Sequence, residues 1–285
     1  MDLATVCVVC PRNDLEAHTI IALAKQYNLH VIQGPAFWGA TMADITLQDL
    51  PHHIQTLITI ELPMSEGWLS YCKQRNIQVI ELDHHVYQGA DYSNPQSSIE
   101  QFAELINHTL NRDEHLIAAN DRGFIPELLR VGASFEEVLN IREREATCRG
   151  VGTLRNEAQR WLSTYQASTI GSYSLYKAPA KYAPVLLELV QLPTKAQYIH
   201  CQQHKQALEL PQVCVIYQDE ACAEWQIEVA GRVARERFQQ LAEQNDNQAV
   251  HSWFGGQAPS FFFGMKSEQA MHLEPMLASV KALLR

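Results

Sequence analysis

The sequence predicts an α/β protein: a parallel doubly wound sheet domain over residues 1–130, a helical linker over 131–168, and a second, smaller α/β domain over 169–285. Three observations carry this. Short apolar, β-branched runs alternate with amphipathic segments of helical length in the first part of the chain, the pattern of βαβ units. Each of those runs ends in polar or acidic residues. A charged, helix-prone stretch then separates them from a second β/α pattern.

Ala4 to Cys10 is nearly all apolar, as a strand buried on both faces must be. Pro11 to Glu16 interrupts it, and Ala17 to Tyr27 reads as a helix closed by Asn28. Leu29 to Gln33 returns as strand, ended by Gly34-Pro35. A second β-α-β follows: Leu57 to Leu62, a helix from Ser65 to Asn76, and Val79 to Leu82. Ile99 to Leu110 reads as a helix with Ser97 or Ser98 as its N-cap. Leu116 to Ala119 is a short apolar, strand-like segment ending at Asn120-Asp-Arg-Gly. Ser134-Phe-Glu-Glu137 is a capping box that opens a helix running to Cys148, and Thr153 to Gln166 is a second helical stretch. Beyond it lie an apolar segment from Ala183 to Leu192, a strand at Val213 to Tyr217 and a strand or short helix from Glu224 to Val229. A charged helix at Arg232 to Gln244, a glycine-flanked aromatic segment from Trp253 to Gly264 and a closing helix at residues 267–284 complete the chain.

Composition narrows the function classes. The formal charge of −10 disfavours a long nucleic-acid track, which needs many basic contacts. No apolar run approaches a membrane span, and the first residues lack the basic start of a signal peptide, so a cytoplasmic protein is expected. The seven cysteines are odd in number and scattered, which suits a reducing compartment. Cys7 and Cys10 lie on the first strand and read as core thiols.

The polar clusters after the strand-like runs carry the chemistry: Arg12, Asp14 and Glu16; Glu61; Asp83-His84-His85; and Asp121-Arg122. In an open parallel sheet the C-terminal strand edge is where ligands bind. Carboxylates and imidazoles meeting there are material for a divalent metal. The same residues also fit a metal-free polar network, but converging carboxylates repel unless a cation neutralises them. Arg122 fits a phosphate contact or a salt bridge equally well. His52 and His53 follow Pro51 in a polar loop and read as surface residues, and Asp44 and Asp49 as solvated or capping.

In order and context these clusters resemble the DHH phosphoesterase superfamily, over residues 4 to about 125. The most specific part is the Leu57–Leu62 strand with Glu61, one helix, then Asp83-His84-His85. The family's first motif, H-x-D-x-D-G or D-x-D-x-D-G, stands here as Arg12-x-Asp14-x-Glu16-Ala17. The second motif's aspartate is Glu61, the third motif is intact, and Asp121 fits the fourth. The resemblance implies that Glu16, Glu61, His84 and Asp121 hold one metal. Asp14 and a shared Glu61 are what is left of a second site. Arg12 occupies the position of a missing ligand there, and a guanidinium cannot coordinate a metal. Arg12 is expected to pair with those carboxylates and supply part of the lost charge against a phosphate. Gly255-Gly256-Gln257 resembles the glycine-glycine-histidine loop of the family's DHHA1-type substrate-binding domain, with Gln257 in place of the histidine. A tight turn before an aromatic core strand explains those residues as well.

The function this implies is metal-dependent hydrolysis of a small nucleotide or short oligonucleotide phosphodiester at an interdomain cleft, with about one Mn²⁺ or Mg²⁺ per chain. His85 would contact the substrate, Asp83 would orient the histidines, and Arg122, Gly255, Gly256 and Gln257 would bind substrate. A homodimer is compatible with this, and no membrane partner is expected. The competing reading is a catalytically reduced relative that binds a nucleotide or a partner protein, as Arg12 and the two Asp-to-Glu replacements suggest.

Overall fold

The computed structural model describes residues 2–46, 49–84, 95–219, 223–232, 235–245, 250–257 and 260–284. The chain divides into two compact units, Met1–Gly150 and Val151–Arg285. The stretch read as a linker contains two helices that fall on opposite sides of this division.

The first unit is built on four parallel strands, β1 (Val6–Cys10), β2 (His30–Gln33), β3 (Thr56–Ile60) and β4 (Gln78–Leu82), in the order β2-β1-β3-β4. β1 and β3 are buried at every residue, as their unbroken apolar runs require. Alternate residues serve opposite faces. Val6, Val8 and Cys10 pack with α1 (Leu15–Gln26) and Phe102, whereas Cys7 and Val9 pack with Trp68 and Cys72 of α2 (Glu66–Gln74). Cys7 and Cys10 have C-x-x-C spacing, but that alternation puts them on opposite faces of the sheet, and burial pushes the Cys7 thiol up to about 12. They are core thiols and not a redox pair. Asn28 and Asn76 stop α1 and α2 in the left-handed conformation, with φ of 56° and 52°.

This strand order fixes where a ligand can sit. The connection leaving β1 enters α1 on one face, and the connection leaving β3 enters α2 on the other. The two diverge at their C-terminal ends, which is the topological switch point of a doubly wound sheet.

Three further helices close over that edge. α3 (Ser98–Leu105) starts at the N-cap Ser97 and ends before Asn107, whose φ is 56°, so it is shorter than the predicted Ile99 to Leu110. α4 (Arg112–Arg130) opens on a capping box between Asn111 and Glu114. The segment from Leu116 to Ala119, read as strand-like, therefore lies inside a helix. α4 is kinked where Gly123 and Phe124 leave helical geometry, and Phe124 adopts φ 58° and ψ −147°. A bulky residue in that region is strained. The guanidinium of Arg142, on α5 (Phe135–Cys148), stacks 4.4 Å from the Phe124 ring centroid, and its Nη1 donates to Asn120 Oδ1 at 2.9 Å.

The second unit is a six-stranded mixed sheet in the order β5-β6-β7-β8-β10-β9. Its strands are β5 (Ser168–Ile170), β6 (Tyr173–Ala178), β7 (Val213–Gln218), β8 (Trp225–Gly231), β9 (His251–Gln257) and β10 (Ser260–Ser267). One face packs on α9 (Arg235–Asn245) and α10 (Leu273–Leu284), the other on α6 (Gly152–Leu162) and α7 (Leu186–Gln191). α8 (Lys195–His204) opens on a capping box between Thr194 and Gln197. The segment from Glu224 to Val229, left between strand and helix by its sequence, forms β8. Gly255, Gly256 and Gln257 lie in β9, paired with Phe262, Phe261 and Ser260, so neither a loop nor a tight turn describes them. The adjacent pair Gly264 and Trp253 explains one glycine here, since a Cβ at Gly264 would collide with the indole.

Candidate metal centre

The site grows out of the ends of β1, β3 and β4. After β1 the chain turns into α1 with Asp14 as N-cap, its Oδ1 accepting from Ala17 N at 2.8 Å. Glu16 lies in the first turn of α1, almost fully buried, and its Oε1 accepts from Ile99 N at 3.0 Å, at the start of α3. Glu61 follows β3 with φ 48°, a left-handed backbone unusual for a glutamate, held by Glu61 N donating to Leu82 O at 2.9 Å. Glu61 Oε1 accepts from Ser98 Oγ at 2.8 Å. His84 follows β4, and Asp121 comes from α4 just before its kink.

Glu16, Glu61, His84 and Asp121 each bring one ligand atom into a group whose atoms all lie within 4.8 Å of one another. His84 Nε2 is 2.7 Å from Asp121 Oδ2 and 3.3 Å from Glu61 Oε1. The Asp121 oxygen is buried, and its 2.7 Å approach to His84 forms an ion pair with the protonated ring. The electrostatics fit a site short of positive charge. Burial, then Asp121 and Glu61, drives the Glu16 carboxyl well above its ordinary range. Burial, then Glu61, lifts Asp14 to about 8. For His84, burial opposes the charged ring, but hydrogen bonds and charge from Asp121 and Glu61 outweigh it and raise the imidazole to about 10.

The donor set is three carboxylate oxygens and one imidazole nitrogen, with no thiolate. That composition suits a hard divalent cation such as Mg²⁺ or Mn²⁺. The hydrogen bonds from Ile99 N and Ser98 Oγ occupy one oxygen each of Glu16 and Glu61 and fix their orientation.

Other residues singled out in the sequence are placed differently. Asp14 stands outside the group of four and caps α1. Arg12 is exposed, its Nε donating to Gly34 O at 3.0 Å, and among the described residues no ion pair joins it to Asp14, Glu16 or Glu61. The pairing expected of it does not form, because the backbone of the neighbouring β2 loop takes its guanidinium instead. Arg122 is ion-paired with Glu100 and Glu127, which makes the salt bridge its role in this structure. Asp83 is buried beside His84, and its carbonyl accepts from Gln101 Nε2 at 3.1 Å. His85 lies outside the described residues, and the side chain of Gln257 is likewise outside the description.

Two contributors carried no recognised signal in the sequence. Glu145 on α5 is buried and accepts from Leu15 N at 3.0 Å, adding a third carboxylate to the start of α1 beside Asp14 and Glu16 and raising Asp14 further. Ser98, weighed only as a helix cap, orients Glu61.

No family model matches the chain, and no curated protein matches it. Among solved structures it is similar to RecJ from Thermus thermophilus, crystallised with Mg²⁺, at 11% identity and a TM-score of 0.45, over 98% of this chain and 49% of that one. The chain thus spans about half the length of that protein. It is similar at 10% identity and a TM-score of 0.45 to the DHH domain of a protein described as a member of a family of ribosomal proteins, over 99% of this chain and 87% of that one. The C-Ala domain of alanyl-tRNA synthetase from Aquifex aeolicus gives 11% identity and a TM-score of 0.22, over 42% of this chain and 98% of that domain. The chemistry of the site rests on its own geometry.

Proposed function

We propose that the first unit binds one Mn²⁺ or Mg²⁺ through Glu16, Glu61, His84 and Asp121, and that the protein is a metal-dependent phosphoesterase acting on a small nucleotide or short oligonucleotide. The observation that carries this is the convergence of the four ligand atoms within 4.8 Å at the switch point of a doubly wound sheet. A divalent cation held there supplies charge against phosphoryl oxygens and lowers the pKa of a bound water. Glu16 and Glu61 are kept in place by their bonds from Ile99 N and Ser98 Oγ, so the donor set is preorganised. Arg12 would supply a cation against a substrate phosphate, and its exposure at the same edge and its tether through Nε support that role. By the sequence reading, His85 would contact substrate and Asp83 would orient His84.

A second reading, a catalytically reduced nucleotide-binding or interaction module, is favoured by one observation. Asp14, the remaining acid of a second metal position, is engaged as a helix cap, and Arg12 offers no ligand. Turnover separates the two. The phosphoesterase reading expects Mn²⁺-dependent hydrolysis of a 5′-phosphorylated dinucleotide that is lost in Glu16→Gln. Mn²⁺ binding without turnover of any phosphoester would leave the binding module.

A further inference from the structure

The loop from Gly34 to Thr41 leaves β2 at the same sheet edge as the metal cluster. Its two ends are fastened to the two strands that make the switch point. At the start, Gly34 N donates to Cys10 O at 2.8 Å and Arg12 N to Pro35 O at 2.9 Å. At the far end, Met42 is fully buried and its N donates to Pro63 O at 3.0 Å, two residues beyond Glu61. The loop is therefore a bridge from the Arg12 side of the site to the Glu61 side. At its crown, Phe37 and Trp38 are 55% and 60% exposed, more than any other aromatic among the described exposed hydrophobics. Gly39, at φ 83°, follows them in a conformation that a side chain would strain.

Two adjacent aromatic side chains left more than half exposed forgo burial that would stabilise them. Arg12 is tethered through Nε to Gly34 O at the start of the same loop and makes no ion pair among the described residues. We propose that Phe37 and Trp38 are a stacking platform for a base of a nucleotide whose phosphate lies toward Arg12 and the Glu16–Glu61–His84–Asp121 cluster. Every nucleobase has a face that stacks on an aromatic ring, whereas inorganic phosphates offer none. An arginine tethered at the start of the same loop supplies the cation for the adjoining phosphate. A second copy of the chain is a poorer occupant, since two chains that each carry a formal charge of −10 repel. The placement of the phosphate rests on the phosphoesterase reading; the platform itself is tested separately.

The test is equilibrium binding by the full chain with Mn²⁺ present, using an uncleavable phosphonate-linked diadenylate and inorganic phosphate as probes. The proposal expects Phe37→Ala/Trp38→Ala to lose about tenfold or more in dinucleotide affinity. Trp38→Phe should keep most of it, and the affinities for inorganic phosphate and Mn²⁺ should hold. Equal dinucleotide affinity in the double variant, parallel loss of all three ligands, or no dinucleotide binding by the wild type would each overturn it. So would unchanged affinity accompanied by conversion of a dimer to a monomer in light scattering, which would make the loop a self-association face. Dinucleotide binding that depends on these rings, in a protein that cleaves no phosphoester and binds no Mn²⁺, would remove the phosphoesterase reading and keep the platform.

Discussion

Asp121 and Arg122 are neighbours on α4, yet they belong to clusters of opposite character. Arg122 joins Glu100 and Glu127, and Arg130 pairs with Glu127 as well, so two guanidiniums meet two carboxylates. Asp121 joins Glu16, Glu61 and His84, where three carboxylates meet one imidazole. The consequence shows in two glutamates. Hydrogen bonds from Arg130 and Arg122 pull the Glu127 carboxyl below its ordinary range, while burial and like charge push Glu16 far above it. One cluster is neutral and complete as it stands. The other gathers four potential ligand atoms with too little positive charge, and that imbalance makes it a candidate cation site rather than a structural salt-bridge network.

Substitution should divide the two clusters most sharply. His84→Ala removes a ligand, and Mn²⁺ affinity should fall by about 10²-fold or more, by analogy with the loss of well-placed metal contacts. Arg122→Ala should leave Mn²⁺ affinity in place and cost about 1–3 kcal/mol of folding stability, the worth of its charged hydrogen bonds. Calorimetric titration and urea denaturation of both variants check this, and similar losses of metal affinity would erase the contrast.

The next largest effect is in pH. Asp14 holds its proton up to about 8 when folded, against 3.8 ordinarily, so its contribution to stability is full at low pH and declines as pH rises through that window. The His84 contribution is full below 6.5 and is lost as pH rises through about 10. Both signs agree. In EDTA the urea midpoint should fall steadily from pH 5 to pH 9, and saturating Mn²⁺ should offset most of that decline. A midpoint that climbs over this range would contradict the charge assignment.

The same groups predict proton release. Because His84 is raised to about 10 and the Glu16 carboxyl is pushed well above its ordinary range, Mn²⁺ binding near pH 7 should release at least one proton per ion. Calorimetry in two buffers of different ionisation enthalpy measures it, and zero release would mean that the cluster is already ionised. The smallest effect is the control. Asp44→Ala deletes the capping-box carboxylate of an exposed turn and should cost no more than about 1 kcal/mol, with Mn²⁺ affinity untouched.

The sequence spoke most clearly where local chemistry is decisive. Asn28 and Asn76 read as helix ends because asparagine tolerates the left-handed conformation they adopt. The box from Ser134 to Glu137 read as a helix start and caps α5. The apolar runs of β1 and β3 read as buried parallel strands. Where partners are distant in sequence, reading failed. Glu145 reaches Leu15 N across the unit, and nothing local in α5 announces it. The box from Asn111 to Glu114 does open α4, and the helix absorbs Gly123 and Pro126 through a kink at Gly123 and Phe124 that no local pattern announces. β5 and β6 are short, mixed in polarity and joined at Gly171, so they offered no period to detect. Arg12 was legible as a non-ligand, but its tether to Gly34 O depends on the packing of β2 against β1.

The proposed centre holds one cation in one cluster. Electron paramagnetic resonance of free Mn²⁺ during titration of the full chain counts bound ions directly. One tight site per chain, abolished by His84→Ala and retained in Arg12→Ala, is the predicted result. No tight site, two equivalent tight sites, or a single site indifferent to His84 would contradict it.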